Sequence, residues 1–103
     1  MTSSEVIRQE ILRGVSEFKS IEIDGDLVLS SLSTPTLRIT GSVINGSLTI
    51  TGSEIFDILD LSDTQMKDLR LQKDVIGILN LKGVLAESMS FQESEFHNYI
   101  CTD

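Results

Sequence analysis

This sequence of 103 residues contains no tryptophan, one cysteine, one proline and one histidine. A single cysteine excludes a disulfide within the chain, and together with a single histidine it supplies two of the four ligands that a structural zinc site takes. Aromatic residues make up only 5% of the chain and hydrophobic residues 40%, so the sequence can form a core, which must be aliphatic. No run of about 18 apolar residues is present, so a membrane-spanning helix is not expected.

Basic residues are scarce as well: 8 lysines and arginines stand against 16 aspartates and glutamates, which gives a net charge of −8 at pH 7. Nucleic acids and anionic membranes are therefore disfavoured partners, because both bind clustered Lys and Arg. An acidic surface attracts basic protein partners. The alternative is that the net charge only keeps the protein soluble. The start Met-Thr-Ser-Ser-Glu lacks a basic segment before an apolar one, so we predict no secretory signal and expect a cytoplasmic location.

Apolar residues recur in pairs whose members are separated by one residue, and two such residues on an extended segment point to the same side. The pairs come every ten or eleven positions, at Leu27/Leu29, Leu37/Ile39, Leu48/Ile50, Leu59/Leu61, Leu69/Leu71, Leu79/Leu81 and Met89/Phe91. Between most of them a small or polar residue precedes an aliphatic or aromatic one by two positions, at Ser42/Ile44, Ser53/Ile55, Thr64/Met66, Asp74/Ile76 and Ser94/Phe96. Such a repeat predicts a solenoid, in which each unit buries its apolar face on its neighbours.

The pairs align in columns when the chain is wound in coils of about 20 residues. Two columns with steps of 20 to 22 residues are Leu27, Leu48, Leu69 and Met89, and Leu37, Leu59, Leu79 and Tyr99. These steps predict about four coils with four sides each, and small insertions near 46–47 and 56–58. A β-sandwich is the main alternative, but its strands alternate over about 4–8 residues while these pairs span three. Leucine-rich repeats carry one strand per unit of about 20–29 residues, and here the pairs come twice as often.

Several five-residue units resemble those of the pentapeptide-repeat proteins, whose central residue is Leu or Phe with a small residue two positions before it. The units are Ser53-Glu54-Ile55, Thr64-Gln65-Met66 and Ser94-Glu95-Phe96, and the likeness covers residues 18–101. The segments around Leu27 and Leu69 look like a divergent branch with Leu at the small position. The resemblance implies an all-β solenoid, a right-handed quadrilateral β-helix with an N-terminal α-helical cap. It also implies one specific activity, because some members imitate duplex DNA and occupy the DNA-binding groove of topoisomerases.

Residues 1–18 do not show the repeat of apolar pairs, and their pattern predicts a capping helix near 3–16. Thr2 and Glu5 fit a capping box at its start. An apolar stripe follows at helical spacing, at Ile7, Ile11, Val15 and Phe18. Solenoids need such a cap because a terminal coil otherwise exposes apolar side chains and unpaired strand edges to water. We expect the cap and the solenoid of residues 19–101 to form one domain.

No catalytic, cofactor-binding or metal-binding set emerges from the sequence. His97 is the only histidine. One histidine in a chain with many serines is expected from composition alone, so it does not indicate a Ser-His-Asp catalytic triad. Gly41 and Gly46 have the spacing of a phosphate loop, but Ser47 stands where the lysine is required. Asp74 falls on an inward position, where we expect its carboxylate to lie at a corner and accept hydrogen bonds from turn amides. We therefore expect a protein that is not an enzyme and uses no cofactor.

The leading functional expectation is a non-catalytic scaffold that presents rigid, acidic solenoid surfaces to a protein partner. The last coil has no evident cap, so we expect it to pair with a second copy, giving a homodimer, or with a partner. This candidate interface comprises Phe91, Phe96, Tyr99, Ile100 and Cys101. The candidate acidic surface comprises Asp57, Asp60, Asp63 and Asp68. The alternative is a DNA-mimic inhibitor of a DNA-binding enzyme such as a type II topoisomerase, although residues 27–53, with Arg38 as their one charged side chain, interrupt an acidic stripe.

Overall fold

The structure is a computed structural model that describes residues 2–100, with side chains described through residue 99. It contains one helix, α1 (Ser4–Leu12), and short strands in the rest of the described range. The strands are β1 (Thr2–Ser3), β2 (Glu17–Lys19), β3 (Glu22–Asp24), β4 (Leu27–Ser30), β5 (Ser33–Thr40), β6 (Val43–Ile44), β7 (Leu48–Thr51), β8 (Glu54–Asp60), β9 (Gln65–Gln72), β10 (Val75–Asn80), β11 (Leu85–Gln92) and β12 (Glu95–Ile100).

The strands form two sheets in which every pairing is parallel. One sheet has the order β1-β3-β6-β9-β7-β4 with β11 also on β9, and the other has the order β12-β10-β8-β5-β2. Paired residues lie 20 to 22 positions apart, as in Leu48 with Leu69 or Thr36 with Ile58. The chain therefore returns to the same place after each turn, and the fold is a β-solenoid of about five turns. The sequence predicted about four coils, and β1 and β2, which flank the helix, supply the additional turn.

The register between coils confirms the predicted columns. Leu69 pairs with Leu48 on one side and Met89 on the other. Leu59 pairs with Leu37 and Leu79, and Leu79 pairs in turn with Tyr99. The predicted insertions are present as well, as a break between β6 and β7 and as a register shift within β8. The spacing of apolar pairs therefore specifies which residues stack.

The core is a stack of aliphatic side chains, as the low aromatic content predicted. Its largest fully buried members are Ile23, Leu27, Leu29, Leu37, Ile39, Leu48, Ile50, Ile55, Leu59, Leu61, Leu69 and Leu71. Complete burial of one such side chain stabilises the fold by about 2 kcal/mol. The last coil differs, because Phe91 and Phe96 are half-buried and Met89 is 39% exposed.

Small hydroxyl residues form hydrogen bonds with backbone groups at two buried corners of the coils. The Ser53 hydroxyl accepts a hydrogen bond from the Leu32 N–H at 3.0 Å and donates one to the Thr51 carbonyl at 3.2 Å. Ser42 makes the equivalent bonds at another corner, accepting from the Ile21 N–H at 3.1 Å and donating to the Thr40 carbonyl at 2.8 Å. A buried backbone N–H needs such a partner. This requirement explains the small polar residues that recur between the apolar pairs.

Helix α1 lies between β1 and β2 along the chain and packs on β4 at the N-terminal end. Its N-cap is Ser3, whose hydroxyl accepts a hydrogen bond from the Val6 N–H at 3.3 Å. The prediction of a capping box from Thr2 and Glu5 was wrong, because the N-cap lies one residue later and Glu5 instead binds Arg8 at 2.7 Å.

The buried face of α1 consists of Ile7 and Ile11, and the helix ends at Leu12 instead of the predicted residue 16. Val15 lies beyond the helix and is exposed, whereas Phe18 is buried in β2. The predicted apolar stripe is therefore correct for its first half only. The turn at Gly14, which has φ of 107°, separates the helix from the solenoid strands.

Candidate protein-binding surfaces

The C-terminal end of the described solenoid is open. Within residues 2–100, β11 pairs with β9 alone and β12 with β10 alone, so each has one edge without a neighbouring strand. Unpaired backbone N–H and C=O groups on such an edge can pair with a strand from another chain. The N-terminal end is more closed, because α1 packs on β4 there and the edge strands β1 and β2 are only two and three residues long.

Three aromatic side chains form a cluster at this open end. The ring centroids of Phe91 and Phe96 lie 5.7 Å apart at an interplanar angle of 85°, and those of Phe91 and Tyr99 lie 6.5 Å apart at 77°. Edge-to-face contacts of this kind stabilise a fold by more than the burial of their apolar surface alone would. The structure thus brings together three of the five predicted interface residues. The side chain of Ile100 and all of Cys101 lie outside the described residues.

The four aspartates of the candidate acidic surface do not share one surface. Asp57 and Asp60 belong to β8, Asp63 lies in the following turn, and Asp68 belongs to β9 in the other sheet. Asp57 and Asp63 are exposed, but Asp60 is 7% exposed. The Asp60 carboxylate is bound by the Arg38 guanidinium at 2.9 Å and also accepts a hydrogen bond from the Ser62 N–H at 3.0 Å.

Asp68 is also engaged within the chain. Its carboxylate accepts hydrogen bonds from the Ser88 hydroxyl at 2.6 Å and the Ser47 hydroxyl at 3.2 Å, and the Arg70 guanidinium lies 3.6 Å away. The hydrogen bond from Ser88 is the main cause that lowers the pKa of Asp68, with Ser47 and Arg70 acting in the same direction. Asp68 thus links three coils through hydrogen bonds, and of the four candidate aspartates only Asp57 and Asp63 are exposed.

Asp74 replaces the small hydroxyl residue of the other coils at a fully buried position. Its Oδ1 accepts a hydrogen bond from the Ser53 N–H at 2.8 Å, which confirms the expectation of a bond to a turn amide. Its Oδ2 is buried and has no hydrogen-bond partner. Burial raises the pKa of Asp74 to about 6, against the opposite effect of the backbone amides of Ser53 and Gln72. This carboxylate is closed off from solvent, so it affects the stability of the fold and does not offer a surface group for binding.

Phe56 is the exposed aromatic residue that sequence reasoning missed. Its side chain is 60% exposed, at a bulge in β8. The insertion near 56–58 was visible in the sequence, but spacing alone does not show which side chain an insertion directs outward. Val75, on the neighbouring strand β10, is exposed as well.

A cleft of about 260 Å³ lies between α1 and the first coil. Its lining is apolar or hydroxylic and includes Ile11, Leu12, Val15 and Leu32, with no titratable side chain. Among the described residues, no three His, Cys, Asp or Glu side chains are grouped as a metal ion would require. None of the described helices has the length and apolar character needed to span a membrane.

Comparison of the chain with models of protein families, with curated protein sequences and with solved structures finds no match.

Proposed function

We propose that this protein is a non-catalytic binding module that presents rigid solenoid surfaces to a protein partner, with the open C-terminal end as its main contact. The observation that carries this proposal is the asymmetry of the two ends. At one end α1 packs on β4 and the edge strands β1 and β2 are two and three residues long, whereas at the other end the eight-residue β11 and the six-residue β12 each leave an unpaired edge beside the half-exposed cluster of Phe91, Phe96 and Tyr99. Such an edge favours pairing with another chain, because pairing buries its free backbone groups and its apolar side chains together.

A second copy of the chain is the first partner to test at this end. Two open ends that meet around a twofold axis would bury both aromatic clusters in one interface. Membership of the pentapeptide-repeat family and a cytoplasmic location stay predictions of the sequence. The DNA-mimic alternative has less support, because two of the four aspartates of the candidate acidic surface, Asp60 and Asp68, are engaged within the chain.

The test combines light scattering with hydrogen exchange. We expect the molar mass of the wild type to rise towards that of a dimer as concentration increases, and backbone amides of β11 and β12 to exchange more slowly in the dimer. Tyr99→Ser removes an exposed aromatic ring from the end and should weaken the dimer about tenfold, as loss of an interface aromatic does. Val28→Ser is the matched control, since Val28 is exposed to a similar degree on β4, away from the end.

If the wild type is a monomer, its open end needs another protein. Retention of that protein from a cell extract on immobilised wild type, and its loss on Tyr99→Ser, would then carry the proposal. A strict monomer whose β11 and β12 amides are already protected from exchange would contradict it, because the end would not be open.

A further inference from the structure

The bulge in β8 places two residues opposite one on each neighbouring strand. Ile55 pairs with Ile76 and Ile58 pairs with Ile78, which leaves Phe56 and Asp57 opposite Gly77 alone. The same two residues face the single Pro35 on β5, between the paired Thr34 and Thr36. Bulges of this kind redirect a side chain or end a pairing, and they are frequent beside functional sites.

The surrounding sequence accommodates this bulge. A Cβ atom on Gly77 would overlap the carbonyl oxygens of Phe56 and Asp57, so glycine is needed opposite the extra residue. Proline on the other side donates no backbone hydrogen bond that the bulge would leave unpaired. The outcome is an exposed Phe56, whereas Phe18 is buried and Phe91 and Phe96 pack against the core.

The register of β5, β8 and β10 places four further apolar residues near Phe56, and we call the set of Pro35, Phe56, Ile58, Val75 and Ile78 the bulge face. Pro35 and Val75 are exposed, and the paired Ile58 and Ile78 are half-buried on the outer side of their strands. An exposed apolar patch that includes a phenylalanine is typical of a contact surface, since aromatic residues often anchor interfaces.

Three carboxylates lie along one part of the bulge face. Val75 lies between Glu54 and Glu95 in the register of the sheet, and Asp57 is part of the bulge itself. All three carboxylates are exposed, and none is in an ion pair within the described side chains. Glu54, Asp57 and Glu95 therefore form an acidic rim beside Phe56 and Val75.

We propose that the bulge face binds a segment of a protein partner in which an apolar side chain is flanked by lysines or arginines. The proposal rests on the proposed binding function and adds a second site with its own partner chemistry. The apolar side chain packs against Phe56 and Val75, and the cations pair with Glu54, Asp57 and Glu95. A nucleic acid or an acidic segment would be repelled by the same rim.

A second copy of the chain is a poor occupant of this face. A twofold contact of the bulge face with itself would bring the three carboxylates of one copy, Glu54, Asp57 and Glu95, close to those of the other copy. Like charges at close range oppose association, so the charge that favours a basic segment disfavours self-pairing.

The test begins with random peptides displayed on phage and selected on immobilised wild-type protein. We expect the selected peptides to combine an apolar residue with flanking Lys or Arg. The best peptide is then synthesised, and its Kd is measured for the wild type, Phe56→Ser, the double variant Glu54→Gln/Glu95→Gln and the control Val28→Ser. Phe56→Ser should raise Kd about tenfold or more, since it removes the central anchor.

The carboxylate variant should raise Kd as well and flatten its dependence on salt, while Val28→Ser should leave Kd unchanged. Peptides without basic residues, or peptides that bind Phe56→Ser as tightly as the wild type, overturn the proposal. Peptides that lose binding with Tyr99→Ser but not with Phe56→Ser overturn it while the proposed function stands. A wild-type dimer that dissociates on Phe56→Ser assigns the face to a second copy and overturns it too.

Discussion

Asp74 is the position where a single substitution should stabilise the protein most. Its carboxylate is fully buried, its Oδ1 has one hydrogen bond, and its Oδ2 has none. Asp74→Asn keeps the shape of the side chain and the acceptor for the Ser53 N–H, and it removes the buried charge. A buried charge without a cation nearby is among the larger unfavourable terms in a fold.

The magnitude follows from the raised pKa of Asp74. In the folded protein burial raises this pKa from 3.8 to about 6, and each pKa unit corresponds to about 1.36 kcal/mol. Because the folded state holds the proton more tightly, the wild type loses stability as pH rises from about 4 to about 6. Above that window the accumulated loss is about 3 kcal/mol. The asparagine variant lacks this titration, so its advantage should be about 3 kcal/mol at pH 7.5 and should vanish below pH 4.

Urea denaturation followed by circular dichroism at a series of pH values measures this difference. The midpoint should rise in Asp74→Asn at neutral pH with an unchanged slope, because the fold and its exposed surface on unfolding stay the same. Asp24→Asn is the control, since Asp24 is exposed on β3 and its substitution should change stability by less than about 0.5 kcal/mol. An advantage that is absent at pH 7.5, or that does not depend on pH, would refute the reasoning.

Two further stability predictions concern contacts between coils. Gly77→Ala should lower the free energy of unfolding by about 3 kcal/mol in urea denaturation, because its Cβ would overlap the backbone of β8. Gly52→Ala is the control: it has open space around it and φ of 59°, so it should lower the free energy of unfolding by about 1 kcal/mol. Equal losses would contradict the close approach of the bulge. Asp60→Asn should lose about 1 kcal/mol by removing the charge that binds Arg38, and a double-mutant cycle with Arg38→Gln checks this. A coupling energy of zero in that cycle would show that the pair contributes nothing.

The stacking of the core could be predicted from the sequence because apolar pairs with steps of 20 to 22 residues permit one register. The same steps would have revealed the ion pair of Arg38 and Asp60, which lie 22 residues apart, and the hydrogen bond of Ser47 to Asp68 across 21. The candidate acidic surface, in contrast, was predicted from aspartates that are close in sequence. Residues that are close in sequence along one coil point to different sides of the solenoid. Residues that lie side by side on one surface come from adjacent coils.

Local detail was harder to predict than register. Ser3 and Thr2 are both good N-caps, and the choice between them depends on the pairing of β1 with β3, which lies 21 residues away. The exposure of Phe56 was missed for a similar reason, since the direction of a bulged side chain depends on the backbone of both neighbouring strands. Packing between coils decided each of these details, and a single coil does not contain that information.

The stacking of residues one coil apart is the central claim, since the open end, the bulge face and the buried Asp74 all depend on it. Nuclear Overhauser effects between methyl groups of selectively labelled protein measure it directly. We predict cross-peaks from Leu69 to Leu48, from Leu79 to Leu59 and from Ile76 to Ile55. A mirrored set of contacts between consecutive strands, as in an antiparallel sandwich, would contradict the account.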